Sequence, residues 1–312
     1  MVKKDVGFDY FQVTAFNGEE VEELFDLLLW IQAQDTLLLR DNLRPYKEDQ
    51  VRIEEVYYHP SYEKWFLRFF RLRTNDVPSL SSEDSRGEFM ELDENFVSED
   101  VTCMYDSENH VLMVQKNAHS VSPIGIQKYL NQTWSGEETI TLRRVIDQQA
   151  LSKARRAEST RIMKVRVADV PGILDKGGEQ SFTSKIKNVV ESMREYTPPF
   201  LELTFSVGNL RGYELEEEFV NPILDDIENN PIYFDKAEVK ILEQQETVYN
   251  TVNLFNDALK DKYTFETERS NPVRFEAICD AMGYIYCPGE NRLNRKADVD
   301  RCIISRTGTA NR

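Results

Sequence analysis

The stretch TLRRVIDQQALSKARRAESTRIMKVRV, residues 141–167, predicts a strand, a short helix and a second strand in direct succession. Its middle part is rich in Ala, Lys and Arg, which favour a helix. The stretch holds eight lysines and arginines but only two acids, so its formal charge is +6 in a chain whose total is −17. The sequence therefore raises the question of why so acidic a protein has a basic segment near its middle.

The region before this stretch predicts a β-rich half built from hairpins. Residues 50–60 and 62–74 are rich in β-branched and aromatic side chains and are separated by a short polar segment. Such a pattern is typical of a hairpin. Residues 99–117 predict a second hairpin, which turns at residues 106–109.

Two helices are also predicted in this half. Residues 18–42 carry acids in the first turns and apolar residues at helical spacing, which indicates one long amphipathic helix. Ser122 is suited to cap a second, short helix, because Pro123 follows it at the first helical position.

The region after residue 170 alternates helices with strands whose apolar side chains lie on one side only. One-sided strands favour sheets that are covered by helices on one face, so the predicted fold class is α+β. The length of 312 residues is enough for two domains. We predict a β-rich N-terminal domain over residues 1–135, an α+β domain with the basic strand–helix–strand unit over 136–290, and a basic tail over 291–312.

Composition and motifs exclude several classes of protein. No segment approaches the roughly 18–20 uninterrupted apolar residues of a membrane helix, and no apolar region follows the N-terminal lysines as in a secretory signal. A cytoplasmic protein without membrane insertion is therefore predicted. The four cysteines have irregular spacing and form no C-x-x-C pair, which disfavours both a disulfide framework and a zinc site. We expect no metal and no cofactor.

The basic residues of the opening stretch are the main candidates for a binding site. Arginine makes charge-assisted, bidentate hydrogen bonds with phosphates, so a cluster of arginines suits a phosphate backbone. Arg155 and Arg156 should project together from a short connector, and Arg144, Lys164 and Arg166 should project from adjacent strands if those strands pair. We call the whole set the basic island: Arg143, Arg144, Lys153, Arg155, Arg156, Arg161, Lys164 and Arg166.

Three interpretations of the basic island stay open at this point. The first is a surface for nucleic acid or another phosphate ligand, which we favour. The second is a charge-complementary contact between the subunits of an oligomer. The third is a set of ordinary exposed charges with no special role, as charged residues commonly are on strands and helices.

Catalytic motifs are scarce. The sequence has no Walker A, G-x-G-x-x-G, G-x-S-x-G or H-E-x-x-H pattern, and His119, in a polar loop, is the one histidine placed for general-base work. A weaker pattern joins Asp226 to Glu238 and Lys240, as in nucleases whose acids hold Mg²⁺ while a lysine supports the attacking water. The E-x-K arrangement also occurs by chance on exposed strands, so we lean towards a protein that is not an enzyme.

The order of features over residues 110–167 resembles a known group of proteins. The strand HVLMVQKN leads through AHSVSPIG into the helix IQKYL, and the strand TITLRRVID, a basic connector and the basic strand RIMKVRV follow. This plan resembles the middle of the Rex exclusion protein A family and is similar to the DNA-binding B subunit of the Kiwa phage-defence system. The C-terminal stretch ETVYNTVNLFNDALKDKYTFE resembles the end of bacterial proteins associated with such loci.

The resemblance implies a cytosolic bacterial or phage protein that binds DNA without sequence preference and forms homo-oligomers. It also implies a partner, often a membrane protein that senses infection. In this sequence the DNA-binding role would fall on all members of the basic island except Arg161.

The expected function is thus a non-enzymatic, sequence-independent nucleic-acid-binding component of a phage-defence or phage-exclusion system. One alternative is an Mg²⁺-dependent nuclease that uses Asp226, Glu238 and Lys240. Another is an acidic protein that inhibits a basic, DNA-binding partner.

Overall fold

The computed structural model describes residues 1–16, 22–73, 79–80, 88–89, 92, 96–168, 170–175, 181–196, 198–208, 210, 212–243, 248–255, 261–268 and 272–303. Within these ranges the fold is α+β, as the sequence predicts, with a large sheet in the N-terminal half and alternating helices and strands in the C-terminal half. The described residues form two compact units. The first takes in Met1–Asp9, Val13–Thr141 and Lys262–Leu293, and the second takes in Tyr10–Gln12, Leu142–Asp261 and the residues from Asn294 onward.

The first unit is built mainly from strands. Its elements are β1 (Val2–Phe16), β2 (Glu22–Leu24), α1 (Leu28–Asp35), β3 (Arg44–Tyr46), β4 (Asp49–His59), β5 (Lys64–Arg73), β6 (Ser79–Leu80), β7 (Glu88–Phe89), β8 (Val97–Asp106), β9 (Val111–Gln115), α2 (Pro123–Thr133), β10 (Thr139–Arg144), β15 (Asp261–Thr267) and α7 (Phe275–Tyr286). Strands β1, β10 and β15 each have residues in both units.

One antiparallel sheet dominates this unit. Its order is β10-β1-β9-β8-β5-β4-β3, and β2 and β15 also pair with the long strand β1. Both predicted hairpins are confirmed, as β4 pairs with β5 and β8 pairs with β9. Ser122 caps α2 as predicted, because its side chain accepts a hydrogen bond from the Gly125 amide. Tyr129 of α2 packs edge-on against Phe69 in the core.

The long helix predicted over residues 18–42 is wrong for the residues that the structure describes. Residues 22–24 form β2, which pairs with β1, and the helix α1 extends only from Leu28 to Asp35. Asp26 marks the start of the helix, because its Oδ1 accepts a hydrogen bond from the Leu28 amide. Pairing with a neighbouring strand therefore overrides the helical spacing of the apolar residues.

The second unit has a four-stranded antiparallel sheet. Its elements are α3 (Gln148–Arg155), β11 (Ser159–Ala168), α4 (Val170–Asp175), α5 (Ile186–Ser192), β12 (Phe200–Ser206), α6 (Glu217–Asn229), a 3-10 turn (Pro231–Tyr233), β13 (Phe234–Leu242), β14 (Asn250–Asn253) and α8 (Lys296–Asp300). The strand order is β12-β11-β13-β14. The strands are one-sided, as predicted: Met163, Val165 and Val167 of β11 are fully buried, and the residues between them are partly exposed.

The division into units differs from the predicted domains in several places. Tyr10–Gln12 group with the second unit, and residues 136–141 group with the first. Residues 262–290, predicted in the second domain, and 291–293, predicted in the tail, also group with the first unit. The reason is tertiary: β15 pairs with β1, and the Tyr286 hydroxyl of α7 donates a hydrogen bond to Asp106 of β8. Part of the predicted tail, residues 294–303, is ordered in the second unit, where Arg295 pairs with Asp261. Residues 304–312 of the tail lie outside the described residues.

Candidate nucleic-acid interface

The predicted strand–helix–strand unit is present as β10, α3 and β11. Helix α3 begins after Asp147, whose Oδ1 accepts hydrogen bonds from the amides of Gln149 and Ala150. An aspartate in this position satisfies amides that have no partner inside the helix. The inner side of α3 is small and apolar, and Ala150 and Leu151 are buried. Local capping and an apolar stripe thus explain why this basic segment is helical.

The strands β10 and β11 do not pair, so the expectation that Arg144 would project beside Lys164 and Arg166 is wrong. Strand β10 belongs to the large sheet, next to β1, whereas β11 lies between β12 and β13. The Arg144 side chain is also buried, and its guanidinium stacks on the rings of Phe11 and Phe255 at 4.8 and 5.7 Å. Arg144 therefore contributes to the core of the second unit.

Arg155 and Arg143 are both held by helix α6. The Arg155 guanidinium lies 2.7 Å from carboxylate oxygens of both Asp225 and Glu228, and Arg143 donates to the Glu228 carbonyl. Burial acts to lower the pKa of Arg155, but the hydrogen bonds to the two carboxylates raise it above its ordinary value overall. These two arginines fasten the basic segment to acidic residues of the same unit.

Arg166 and Arg161 are occupied within the sheet and its loops. Arg166 makes a bidentate pair with Asp235, with distances of 2.6 and 2.8 Å, and this hydrogen bonding raises the pKa of the guanidinium. Arg161 donates to the carbonyls of Gly208 and Leu210, in the segment that follows β12. Arg166 therefore connects β11 to β13, and Arg161 connects β11 to the segment after β12.

The remaining cations of the basic island face solvent. Lys153 is about half exposed and lies 3.6 Å from Glu243, a loose ion pair. Arg156 is exposed, and we find no ion pair for its guanidinium within the described ranges. Lys164 lies on the outer face of the four-stranded sheet, opposite Glu238 of β13. Arg156 and Lys153 are on the exposed side of α3, so they and Lys164 do not share one surface.

The exposed side of α3 forms one polar groove. The groove has a volume of about 730 Å³ and is open to solvent. Its lining residues carry amide, hydroxyl and cationic groups and one carboxylate. The residues that line it are Gln148, Gln149, Ser152, Lys153, Arg156 and Glu243, and we call it the α3 groove.

Sequence reasoning identified only two of the groove residues. The other helical members, Gln148, Gln149 and Ser152, are uncharged, so a search for cations overlooks them. With Lys153 they take the first, second, fifth and sixth positions of α3, and Arg156 follows directly after the helix. This spacing is the polar half of a helical wheel, and it could have been found from the sequence.

The residues of the nuclease hypothesis are not brought together. Asp226 is buried on α6, where its carboxylate accepts hydrogen bonds from Thr183 and Ser184. Glu238 and Lys240 point to the outer face of the sheet, between inward-facing residues of β13. In the part of the chain that the structure describes, no group of three His, Cys, Asp or Glu side chains could hold a metal ion.

His119, the candidate base, lies in an exposed loop. Its carbonyl accepts a hydrogen bond from Arg71, and its amide donates to the Asn117 side chain. These contacts fix the loop backbone. Both are contacts of the His119 backbone and not of its imidazole.

Comparison with known proteins gives a family and no activity. The model of DUF6731, a family of unknown function, matches residues 1–297. The chain belongs to the DUF6731 family. No curated protein matches it. None of the helices of this DUF6731 protein, within the ranges described above, is long and apolar enough to cross a membrane.

Proposed function

We propose that this DUF6731 protein is a non-enzymatic binding protein that contacts the phosphate backbone of nucleic acid through the α3 groove. The observation that carries the proposal is the pair of cations on the exposed side of α3. Arg156 is exposed without an ion pair in the described ranges, and Lys153 has only a loose one. Five other cations of the basic island have partners or are buried, so the interface is narrower than the sequence predicts.

The neighbouring side chains suit such a contact. Phosphate oxygens accept hydrogen bonds from glutamine amides and serine hydroxyls as well as from cations. Gln148, Gln149 and Ser152 supply these donors in the same groove. Contacts of this kind position a protein on nucleic acid but carry no sequence information, which agrees with binding that is independent of sequence.

A small number of phosphate contacts should give weak, salt-dependent binding. For duplex DNA, the slope of log K against log salt is about −0.9 for each phosphate neutralised. Two cations therefore give a slope of about −2. The total charge of −17 will oppose association at low salt, where screening is weakest.

The test compares two charge-reversal pairs. Lys153→Glu with Arg156→Glu changes the α3 groove, and Lys185→Glu with Lys240→Glu changes the total charge equally at exposed or half-exposed positions outside it. Binding of labelled duplex DNA and single-stranded RNA is measured by fluorescence anisotropy between 20 and 200 mM salt. We expect at least tenfold weaker binding for the groove pair and a change below threefold for the control pair.

Two results would contradict the proposal. One is wild-type protein that binds neither nucleic acid at the lowest salt. The other is an equal loss of affinity in both pairs, since total charge and not the groove would then explain it. Addition of Mg²⁺ to the same samples, followed by gel analysis, also tests for cleavage.

The wider biological role is also a proposal. The resemblance to the Rex exclusion and Kiwa proteins supports a cytoplasmic component of phage defence or exclusion that works with a partner protein. The test is phage plating on cells that carry the wild-type gene or the Lys153→Glu and Arg156→Glu pair. Equal plaque counts on both strains and on cells without the gene would contradict this role.

A further inference from the structure

The strand β12 forms one edge of the four-stranded sheet. All seven of its residues pair with β11, from Phe200 opposite Ala168 to Ser206 opposite Ile162. No strand pairs with its other edge among the residues that the structure describes. Antiparallel strands direct alternate N–H and C=O groups to each side, so β12 presents a row of backbone donors and acceptors along that edge.

The edge strands β14 and β3 have features that discourage pairing, and β12 has fewer of them. Strand β14, at the opposite edge, has four residues, begins and ends with Asn, and is too short to pair strongly. Strand β3 has three residues and contains Pro45. Short length, proline, lysine and bulges are the usual means by which edge strands avoid pairing. Strand β12 (FLELTFS) is seven residues long and lacks lysine, proline and a bulge.

The inner side of β12 is also incompletely covered. Leu201, Leu203 and Phe205 point towards the core side of the sheet but are only half-buried. Their partners across the ladder, the inward-facing residues of β11, are fully buried. The apolar layer therefore thins out at this edge, and a further strand would cover the three side chains.

Exposed apolar side chains lie in the segments on both sides of β12. Tyr196 is 76 % exposed and Phe200 is 53 % exposed, before and at the start of the strand. Leu210 and Tyr213, after the strand, are 58 and 63 % exposed. Arg161 holds the Leu210 carbonyl at 2.7 Å, so this segment is tied to the sheet. Large exposed apolar residues on both sides of an open strand are typical of a protein interface.

We propose that β12 pairs with β12 of a second copy of this chain, antiparallel and centred on Leu203, so that the sheet continues across a two-fold axis. In this register Leu201 faces Phe205 of the second copy, and Leu203 faces its own counterpart. Glu202 faces Thr204 of the second copy on the outer side. A two-fold contact of this kind uses the same surface twice and closes as a dimer.

The side chains select this register among those that keep both inner sides on one face. Centring on Glu202 would place two carboxylates directly opposite each other, which is unfavourable. Centring on Thr204 would leave Phe200 and Leu201 without partners and reduce the ladder from seven residue pairs to five. Centring on Leu203 uses all seven residues and opposes no like charges.

The test uses charge at Thr204, which is exposed on the outer side. Thr204→Glu places a carboxylate opposite Glu202 of the second copy, twice by symmetry, whereas Thr204→Lys places a cation there. Dimer dissociation is measured by sedimentation velocity over a range of concentrations. We expect about tenfold weaker association for Thr204→Glu and tighter association for Thr204→Lys. Thr251→Glu on β14, an equal change at the other edge, should behave as wild type.

A cysteine variant checks the register independently. Leu203→Cys should form a disulfide-linked dimer under mild oxidation, because directly opposed residues lie about 5 Å apart. Ser206→Cys should not, since its counterpart would be about 20 Å away. A protein that is monomeric at all concentrations would overturn the proposal. So would a dimer that responds equally to Thr204→Glu and Thr251→Glu.

Discussion

Asp226 is a catalytic residue in the nuclease hypothesis, whereas its buried contacts indicate a structural role, and a stability measurement distinguishes the two. Its side chain is only 1 % exposed. Its Oδ1 accepts hydrogen bonds from the amide and the hydroxyl of Thr183, at 2.6 and 2.8 Å, and its Oδ2 accepts from the Ser184 amide at 3.0 Å. We therefore predict that replacement of Asp226 lowers stability because it releases the segment that leads into α5.

The expected magnitude follows from these three contacts. A hydrogen bond to a charged group contributes about 1.5–3 kcal/mol, and a buried donor left without a partner costs about 1–3 kcal/mol. Asp226→Ala removes all three hydrogen bonds and leaves the buried Ser184 amide unsatisfied, whereas the exposed Thr183 can bind water, so the expected loss is about 3–5 kcal/mol. Asp226→Asn can keep the oxygen near Thr183 but turns an NH₂ group towards the Ser184 amide, so we expect a loss of about 2 kcal/mol.

The assay must report on the second unit. All three tryptophans, Trp30, Trp65 and Trp134, lie in the first unit, so tryptophan fluorescence reports mainly on that unit. Urea unfolding followed by far-UV circular dichroism, with hydrogen exchange of peptides that contain Thr183, gives the required free energy. Exchange in these peptides should accelerate in both Asp226 variants.

Asp225→Asn is the matched control, because Asp225 is the adjacent residue, about half exposed, and pairs with Arg155. An exposed ion pair contributes about 0.2–1 kcal/mol, so the control should lose no more than that. If Asp226→Ala were within 0.5 kcal/mol of wild type, the assigned structural role would be wrong.

Three further outcomes follow from the contacts described above. Arg155→Ala should lower the free energy of unfolding in urea by about 1 kcal/mol and leave nucleic-acid affinity unchanged. A tenfold loss of affinity would show that Arg155 contacts the nucleic acid. Gly283→Ala should destabilise the protein by about 1–3 kcal/mol, because a methyl group there meets the Tyr62 ring, and an unchanged Tm would contradict this. Iodoacetamide should modify Cys302 before Cys103 in the native state, since burial raises the pKa of both thiols but Cys103 is fully enclosed; mass spectrometry of the labelled peptides checks the order.

The parts of the fold that the sequence predicts correctly depend on neighbours in the chain. Both hairpins follow from apolar patterns that flank a short turn, and the start of α2 follows from a cap and a proline side by side. Elements placed by distant partners were predicted less well. β15 pairs with β1 across most of the length of the chain, so no local pattern predicts it. β2 lies close to β1 in the sequence, but the helical spacing of its apolar residues predicts a helix there.

The ion-pair partners of the candidate site were also not predictable from the sequence. The sequence identifies the cations of the basic island, but it does not identify the acids that pair with some of them, because those acids are distant in the chain. Arg155 meets Glu228 across 73 residues, and Arg166 meets Asp235 across 69 residues. Helix α6 alone supplies three of the contacts, through Asp225 and two atoms of Glu228. An excess of cations in a segment therefore does not establish that the cations are exposed.

The acidic composition explains why most of the basic island can have partners within the protein. Removing a guanidinium from water is unfavourable unless a carboxylate, a carbonyl or an aromatic ring replaces the lost solvent. A chain with 55 acidic residues offers many such partners, and α6 and β13 bring them to α3 and β11. Through ion pairs and hydrogen bonds, most cations of the basic island connect helices and strands of the second unit. Arg156 and Lys153 differ from Arg155 in their exposure and in having no ion pair with α6 within the described residues. In the proposed interface these two cations contact the phosphate backbone, whereas Arg155 pairs with Asp225 and Glu228 of α6.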